Sequence, residues 1–357
     1  MIFDRQARTC YTLSIMGKDL KDKSLGELEQ LVTELGQKKY LAGYIFGFIH
    51  VEDVTDISQI TPLSKSFRQE LTEQGYYISG LVIARKLEDK DGTAKYLFTL
   101  EDGNQIETVL LPEGRRRTVC ISTQVGCNLD CLFCATGKMG FRRNLSAGEI
   151  VDQIETVEGD SGKITNVVYM GMGEPLLNYD AVIKSIRILN HEKGKNIGIR
   201  HITVSTCGII PGIKKLARED IQPRLAVSLN APADTLRTQL MPINKKYPLP
   251  ELFKAIRDYQ QSTRRRVTFE YVMIKGKNDS AEHAKMLLKL LRGIISHVNL
   301  IEHNPHPGCD FAGSGSERMK VFAAVLENAG IETTMRFKMG RGIKAACGQL
   351  GADMAKE

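Results

Sequence analysis

The chain has 357 residues, 42% of them hydrophobic and 25% charged, with a formal net charge of +7. That length suits one large domain with a smaller attachment, and the composition is that of a globular protein rather than a disordered or fibrous one. No apolar run is long enough to span a bilayer, and Met1-Ile2-Phe3-Asp4-Arg5 opens no signal peptide, so a cytoplasmic location with no membrane partner is the expectation.

Taken in chain order, residues 24–74 read as helical. Leu25, Leu28, Leu31, Val32 and Leu35 recur at helical spacing, Tyr40 to Ile49 form a second apolar-periodic run, and Pro62 precedes a third through Phe67 and Leu71. The pattern then changes. Ile78–Leu87, Tyr96–Leu100 and Gln105–Leu111 read as strands, with the hairpin turn chemistry of Asp91-Gly92 and Asp102-Gly103-Asn104 between them. A small α+β accessory domain, residues 1–112, is the expectation.

From residue 113 the chain alternates strand and helix. Strands are expected at Thr118–Ser122, Asn166–Met170, His201–Ser205, Arg224–Ser228, Thr268–Met273 and His297–Ile301. Helices are expected at Ala147–Glu158, Tyr179–Leu189, Leu249–Gln261, Ser280–Leu291 and Ser316–Ala329. Repeated βα units predict a parallel sheet covered by helices, and about six of them fit a partial (β/α)6 barrel over residues 113–340. The functional residues should then lie at the C-terminal ends of the strands. Residues 341–357 form a C-terminal segment.

Cys127, Cys131 and Cys134 stand in the run C-N-L-D-C-L-F-C. Three thiolates this close can each hold one iron of a 4Fe–4S cube, and the missing fourth local ligand leaves one iron open. Zinc sites usually pair C-x2-C with a second such pair, which this chain lacks, and disulfide frameworks belong to short secreted chains. The C-x3-C-x2-C spacing resembles the signature of radical S-adenosylmethionine (SAM) enzymes, in which the open iron binds SAM.

Other motifs follow proposed strands. Met170-Gly171-Met172-Gly173-Glu174-Pro175 combines glycines, which let a ligand lie against backbone, with a carboxylate that can accept from an ammonium group. The same segment also reads as an ordinary glycine-rich turn. Ser205-Thr206-Cys207-Gly208, Ser228-Leu229-Asn230 and Asn304-Pro305 carry polar side chains that either contact a ribose and an adenine or cap turns. Cys120 lies on the first barrel strand and Cys347 in Ala345-Ala346-Cys347-Gly348-Gln349-Leu350. Each is either a nucleophile able to take a methyl group from a sulfonium or a small buried apolar residue; the second reading is kept for Cys10, Cys207 and Cys309. Basic clusters at Arg115-Arg116-Arg117, Arg142-Arg143, Lys214-Lys215, Lys245-Lys246 and Arg264-Arg265-Arg266 suit phosphate contacts or a solvated surface equally.

Together these stretches resemble the RlmN/Cfr family of radical SAM adenine methyltransferases acting on 23S ribosomal RNA, from about Leu25 to Leu350. Specific points are Cys120-Ile-Ser-Thr-Gln-Val-Gly-Cys127, Asn144-Leu145 with Glu149-Ile150, Gly171 to Leu176, Met241-Pro242-Ile243-Asn244 and the Ala-Ala-Cys-Gly-Gln-Leu ending at Leu350. The resemblance implies that Cys127, Cys131 and Cys134 ligate a 4Fe–4S cluster. It implies a SAM site of Gly173, Glu174, Ser205, Ser228, Leu229, Asn230 and Asn304, and it makes the N-terminal domain an RNA-binding accessory. Two SAM molecules would serve each turnover. One methylates Cys347; the other is cleaved to a radical that activates the S-methyl group for addition to the base. Cys120 then resolves the adduct through a transient disulfide with Cys347, and Glu107, in Ile106-Glu107-Thr108-Val109, accepts a proton. An electron donor such as flavodoxin is implied, and transfer RNA is a second candidate substrate. Oligomeric state has no signature in the sequence.

The chain departs from the family at Asn230, where His is common, and at Gly340-Arg341-Gly342-Ile343-Lys344, where aspartates are usual. The Glu174-Pro175 pair favours methylation of adenine carbon 2 over carbon 8. Carbon 8 methylation, an RNA-binding protein with a structural cluster, and another SAM-cleaving reaction (an activase or a methylthiotransferase) are the alternatives. Intact Cys120, Cys347 and Glu107 disfavour a mere binding module.

Overall fold

The computed structural model describes residues 18–336 and 340–352. The N-terminal helices are α1 (Leu25–Glu34), α2 (Leu41–His50) and α3 (Lys65–Glu73), followed by β1 (Val82–Glu88), β2 (Ala94–Thr99), β3 (Gln105–Glu113), β4 (Arg116–Cys120) and β5 (Gln124–Gly126). A short α4 (Ala135–Lys138), β6 (Phe141–Asn144), α5 (Ala147–Ser161), β7 (Asn166–Tyr169), α6 (Tyr179–Asn190), β8 (Ile202–Thr206), α7 (Ile210–Leu216) and β9 (Arg224–Ser228) come next. The chain continues through α8 (Asp234–Leu240), α9 (Leu249–Thr263), β10 (Val267–Met273), α10 (Ala281–Leu291), β11 (Ser296–Glu302), α11 (Ser316–Glu327) and β12 (Glu332–Arg336).

Helix starts follow local chemistry. Ser24 and Ser146 accept from the backbone N–H of Glu27 and Glu149, whose carboxylates reach back to the caps, so α1 and α5 begin on complete capping boxes. One ten-stranded sheet has the order β1-β2-β3-β4-β7-β8-β9-β10-β11-β12. From β4 through β12 the pairings are parallel, and β2·β3 and β3·β4 are antiparallel. All six expected barrel strands are present, and β12 adds a seventh to the parallel run, its short polar sequence Glu-Thr-Thr-Met-Arg lacking an apolar signal. Strands at the middle of the sheet are largely buried; all four residues of β7, Asn-Val-Val-Tyr, are buried. Among the described residues no helix is long and apolar enough to cross a membrane.

The chain divides into two compact units. One holds the described residues up to Val82 with Ser146–Gly162 and Asp180–Ile197; the other holds Ile83–Leu145, Lys163–Tyr179 and the described residues from Gly198 onward. The expected boundary at 112–113 falls inside β3, whose Glu113 pairs with Arg116 of β4. The hairpin strands therefore belong to the large sheet and not to the N-terminal unit. β2 pairs with β3, and the other edge of β3 finds its backbone partners on β4. Helices α5 and α6, expected with the barrel, group with the N-terminal helices.

Charge explains part of that grouping. Lys21, 1% exposed, pairs with Asp152 (2.5 Å) and Glu155 (3.4 Å) of α5, and His50 Nδ1 lies 2.8 Å from Glu155 Oε1. Burial pushes Asp152 up to about 6, against the pull of Lys21. Removing one partner of a buried pair strands the other charge. Lys21→Met is thus expected to cost about 3–5 kcal/mol in urea unfolding. By contrast Lys39→Ala, which breaks an exposed pair with Glu29, should cost roughly 0–1 kcal/mol. Equal small losses from both would show that the Lys21 cluster is not a structural centre.

Candidate active site

The cysteine loop leaves the sheet after β4 through the β5·β6 hairpin. Gly126 is required at its base: with φ at +75°, a Cβ there would lie 1.8 Å from the Gly140 carbonyl oxygen. The Cys127 N–H donates to that same carbonyl at 3.0 Å, and Cys134 N–H donates to Cys131 O at 3.1 Å. The loop is thereby coiled so that Cys127, Cys131 and Cys134 all line one cavity of about 150 Å³. Burial pushes the Cys127 thiol up to about 12 and raises Cys134. Such thiols ionise only when a cation balances them, which is what a bound metal centre supplies. Among the described residues no three His, Cys, Asp or Glu side chains close on a single ion position. A cube spreads its cysteines over separate irons, so three thiols around a shared cavity fit it as a donor set.

Much of the remaining lining comes from the C-terminal ends of β7 to β10. Gly173, Glu174, Ser205, Ser228 and Asn230 line the cavity, as the sequence leads one to expect. Gly171 permits the approach of this loop to β4: its N–H donates to Ile121 O at 2.9 Å, and a Cβ would lie 2.6 Å from that carbonyl. Glu174, 2% exposed, accepts from Leu176 N–H (3.1 Å) and Cys207 N–H (2.7 Å), and burial raises it. Asn230 has φ +60°, a left-handed conformation that Asn tolerates, and its Oδ1 accepts from Val272 N–H at 2.8 Å. That double demand accounts for Asn at this position.

Leu229 and Asn304 are not on the cavity wall. Leu229 is fully buried, its N–H donating to Glu270 O at 3.0 Å, and Asn304 Nδ2 donates to Cys347 O at 3.4 Å. Cys347 is on the wall, and although surrounded by protein it presents surface to the cavity. Several anchors hold it there. Ala135 N–H donates to Gly348 O (2.8 Å), Thr136 Oγ1 to Leu350 O (2.7 Å), and Gln349 Nε2 to Pro305 O (2.8 Å). Glu107, expected as a proton acceptor, pairs with Lys95 (2.9 Å) and accepts from Gly351 N–H (2.7 Å). The β1–β2 turn adds Asp89 and Asp91, which accept from Gly342 N–H and Gly340 N–H at 2.9 Å each. Here the carboxylates lie on the hairpin rather than on the segment before Cys347.

Cys120, 9% exposed, does not line the cavity. Burial, then the neighbouring Cys347, pushes it up to about 12, while Arg336 opposes the rise. Burial also raises Cys347, again against Arg336. Arg336 Nη2 lies 3.6 Å from Glu270 Oε1, and Glu270 accepts from Asn299 Nδ2 at 2.8 Å. All seven described cysteines are free thiols, Cys10 lying outside the described residues. Sequence reasoning missed Glu270, Arg336 and His303 near or on the wall, since none sits in a motif. It also took Cys207 for a core residue, whereas Cys207 lines the cavity and its thiol is hydrogen-bonded to Cys131.

Residues 121–288 match the radical SAM superfamily, and residues 18–76 match the ribosomal RNA large subunit methyltransferase N-terminal domain. A probable dual-specificity RNA methyltransferase RlmN of Thermoanaerobacter sp. (strain X514) is 48% identical over 339 residues, 95% of this chain and 99% of the relative. The chain belongs to the RlmN family of radical SAM methyltransferases. The dual-specificity RNA methyltransferase RlmN of Syntrophobacter fumaroxidans is 46% identical over 94% of this chain and 98% of its own length. The crystal structure of a radical SAM methyltransferase from Sphaerobacter thermophilus superposes with a TM-score of 0.88 at 46% identity, covering 94% of this chain and 99% of the other. The family fold, a radical SAM core with an N-terminal accessory region, is thus this chain's fold.

Proposed function

We propose that this chain is a dual-specificity RNA methyltransferase that methylates carbon 2 of an adenine in 23S ribosomal RNA, with transfer RNA as its second substrate, in the cytoplasm. The observation that carries the reading is that Cys347 lines the same cavity as Cys127, Cys131 and Cys134, together with Glu174, Ser205, Ser228 and Asn230. A 4Fe–4S cluster and SAM, when bound, supply the radical chemistry, with flavodoxin or a similar small protein as electron source.

The chain's own residues do the rest. Cys127, Cys131 and Cys134 hold the cluster. Gly173, Glu174, Ser205, Ser228 and Asn230 seat SAM; Leu229 and Asn304 shape that seat from behind the wall. Cys347 Sγ takes a methyl group: a carbon–sulfur bond forms, the methyl–sulfonium bond of SAM breaks, and the thiol proton leaves. Arg336 favours the thiolate needed for that attack. Once Cys347 is linked through its S-methyl carbon to the base, Glu107 takes the proton from the base carbon. Cys120 then attacks Cys347 Sγ: a disulfide forms, the bond from that sulfur to the methylene carbon breaks, and the carbon keeps the electron pair and takes up a proton as the methylated base leaves. A thiol reductant returns the disulfide to two thiols before the next turnover. Glu107 also holds the C-terminal segment, its Oε2 accepting from Gly351 N–H at 2.7 Å. Residues 18–81 and the exposed basic clusters supply the RNA-binding surface, so affinity should fall steeply with salt.

The test is mass spectrometry of nuclease-digested RNA after incubation with enzyme, SAM and reductant. Reductant-dependent 2-methyladenosine in both ribosomal and transfer RNA is expected. Product at carbon 8 would move the site of methylation, and SAM cleavage without any RNA product would overturn the RNA reading.

A further inference from the structure

Arg237 of α8 is fully buried. Its guanidinium donates to four neutral acceptors: Leu229 O (3.1 Å), Asn244 Oδ1 (2.8 Å), Cys207 O (2.7 Å) and Ser228 O (3.4 Å). Asn244 is in turn fixed by Asp234 Oδ1 at 2.9 Å. A buried cation with only neutral acceptors is costly unless a negative charge stands nearby. Two of its four acceptors belong to Cys207 and Ser228, which line the same cavity as Cys127, Cys131 and Cys134, so the guanidinium sits directly behind that lining.

Cys207 connects the two. Its backbone is clamped from both sides, N–H on Glu174 Oε2 at 2.7 Å and carbonyl under Arg237 Nη2 at 2.7 Å. The thiol is thereby turned into the cavity and onto Cys131.

We propose that Arg237 is the resident counter-charge of the cysteine site and that Arg237 and Cys207 together poise its reduction potential. This inference rests on the reading of Cys127, Cys131 and Cys134 as cluster ligands. Thiolate-held iron–sulfur groups carry net negative charge that grows when an electron arrives. A fixed cation and a hydrogen bond to a ligand sulfur therefore both favour the reduced form, and both act on potential in the same direction. Arg237 thus does two things with one side chain. It ties the ends of β8 and β9 together through Cys207 O and Ser228 O, and it makes the site easier to reduce.

The experiment is a redox titration followed by electron paramagnetic resonance on anaerobically reconstituted protein, with iron content measured on each sample. Wild type, Arg237→Met, Arg237→Lys, Cys207→Ala and Cys207→Ser are compared. At the potential that half-reduces wild type, Arg237→Met should show roughly tenfold less reduced relative to oxidised cluster, about 59 mV for one electron. Cys207→Ala should shift in the same sense, and Cys207→Ser, which keeps a donor, should return towards wild type. Arg237→Lys keeps the charge and should shift less than Arg237→Met. If Arg237→Met takes up no iron, Arg237→Lys and the Cys207 pair decide. Full iron with wild-type potentials in the variants overturns the inference alone. A wild type that takes up no cluster overturns the ligand reading and this inference with it.

Discussion

Replacing Cys127, Cys131 or Cys134 with Ala is expected to abolish the iron–sulfur chromophore and all methylation. Wild type, purified anaerobically, should hold about four irons and four sulfides per chain. Each cysteine is set by a separate piece of backbone: Cys127 by the Gly140 carbonyl, Cys131 by its bond to the Cys134 N–H, and Cys134 at the start of α4. No neighbouring side chain can therefore slide into a lost position. Cys207, the thiol nearest to doing so, is fixed by Glu174 and Arg237. Folding should survive, because the substituted side chains face the cavity rather than the packed sheet. Thermal unfolding of the metal-free protein should be nearly unchanged while iron content collapses. Stoichiometric zinc without iron after anaerobic reconstitution would falsify the cluster reading.

Much of the site was legible because its signals are local. The cysteine spacing, the Gly171–Pro175 turn and the polar residues ending β8 and β9 each occupy a few consecutive positions, and the fold brings most of them around one cavity. The six expected barrel strands were legible for a similar reason: buried parallel strands are short apolar runs between helical ones. Short helices α7 and α8 escaped notice because seven residues span too few turns to display a periodicity.

What was not legible depends on partners far away in sequence. Lys21 meets Asp152 across 131 positions, which draws α5 into the N-terminal unit although the βα pattern around it is regular. Glu107 lies 244 positions from Gly351, so its structural duty of holding the C-terminal segment could not be read beside its catalytic one. Asp89 and Asp91 likewise appear as ordinary hairpin residues until the glycines they hold are seen. Arg237 is the clearest case. In sequence it is one more cation in a chain carrying 49 Lys and Arg, and only its full burial among neutral acceptors singles it out.

The two reactive cysteines should separate when they are changed one at a time, because they act at different moments. Cys347→Ala is expected to drop methylation below detection and to leave no covalent RNA complex, since no methyl acceptor remains. Its side chain presents surface to the cavity, so stability should hardly move. Cys120→Ala leaves the acceptor intact and removes a thiol that neighbours Cys347 from within the sheet, on the last residue of β4. Methyl transfer to Cys347 and addition to the base then proceed, but the carbon–sulfur link to RNA has no exit without a second thiolate. The variant should accumulate a protein–RNA adduct that survives denaturation and maps to Cys347 after nuclease digestion. Raising the pH should speed resolution in wild type, because Cys120 sits near 12 in its buried setting and attacks only as thiolate. If both residues were merely buried apolar groups, each change would cost roughly 1 kcal/mol and neither would trap RNA. A fully active Cys347→Ala protein would refute the methyl-carrier role, since among the described residues the one other thiol that lines the cavity from outside the cysteine loop is Cys207, which is hydrogen-bonded to Cys131.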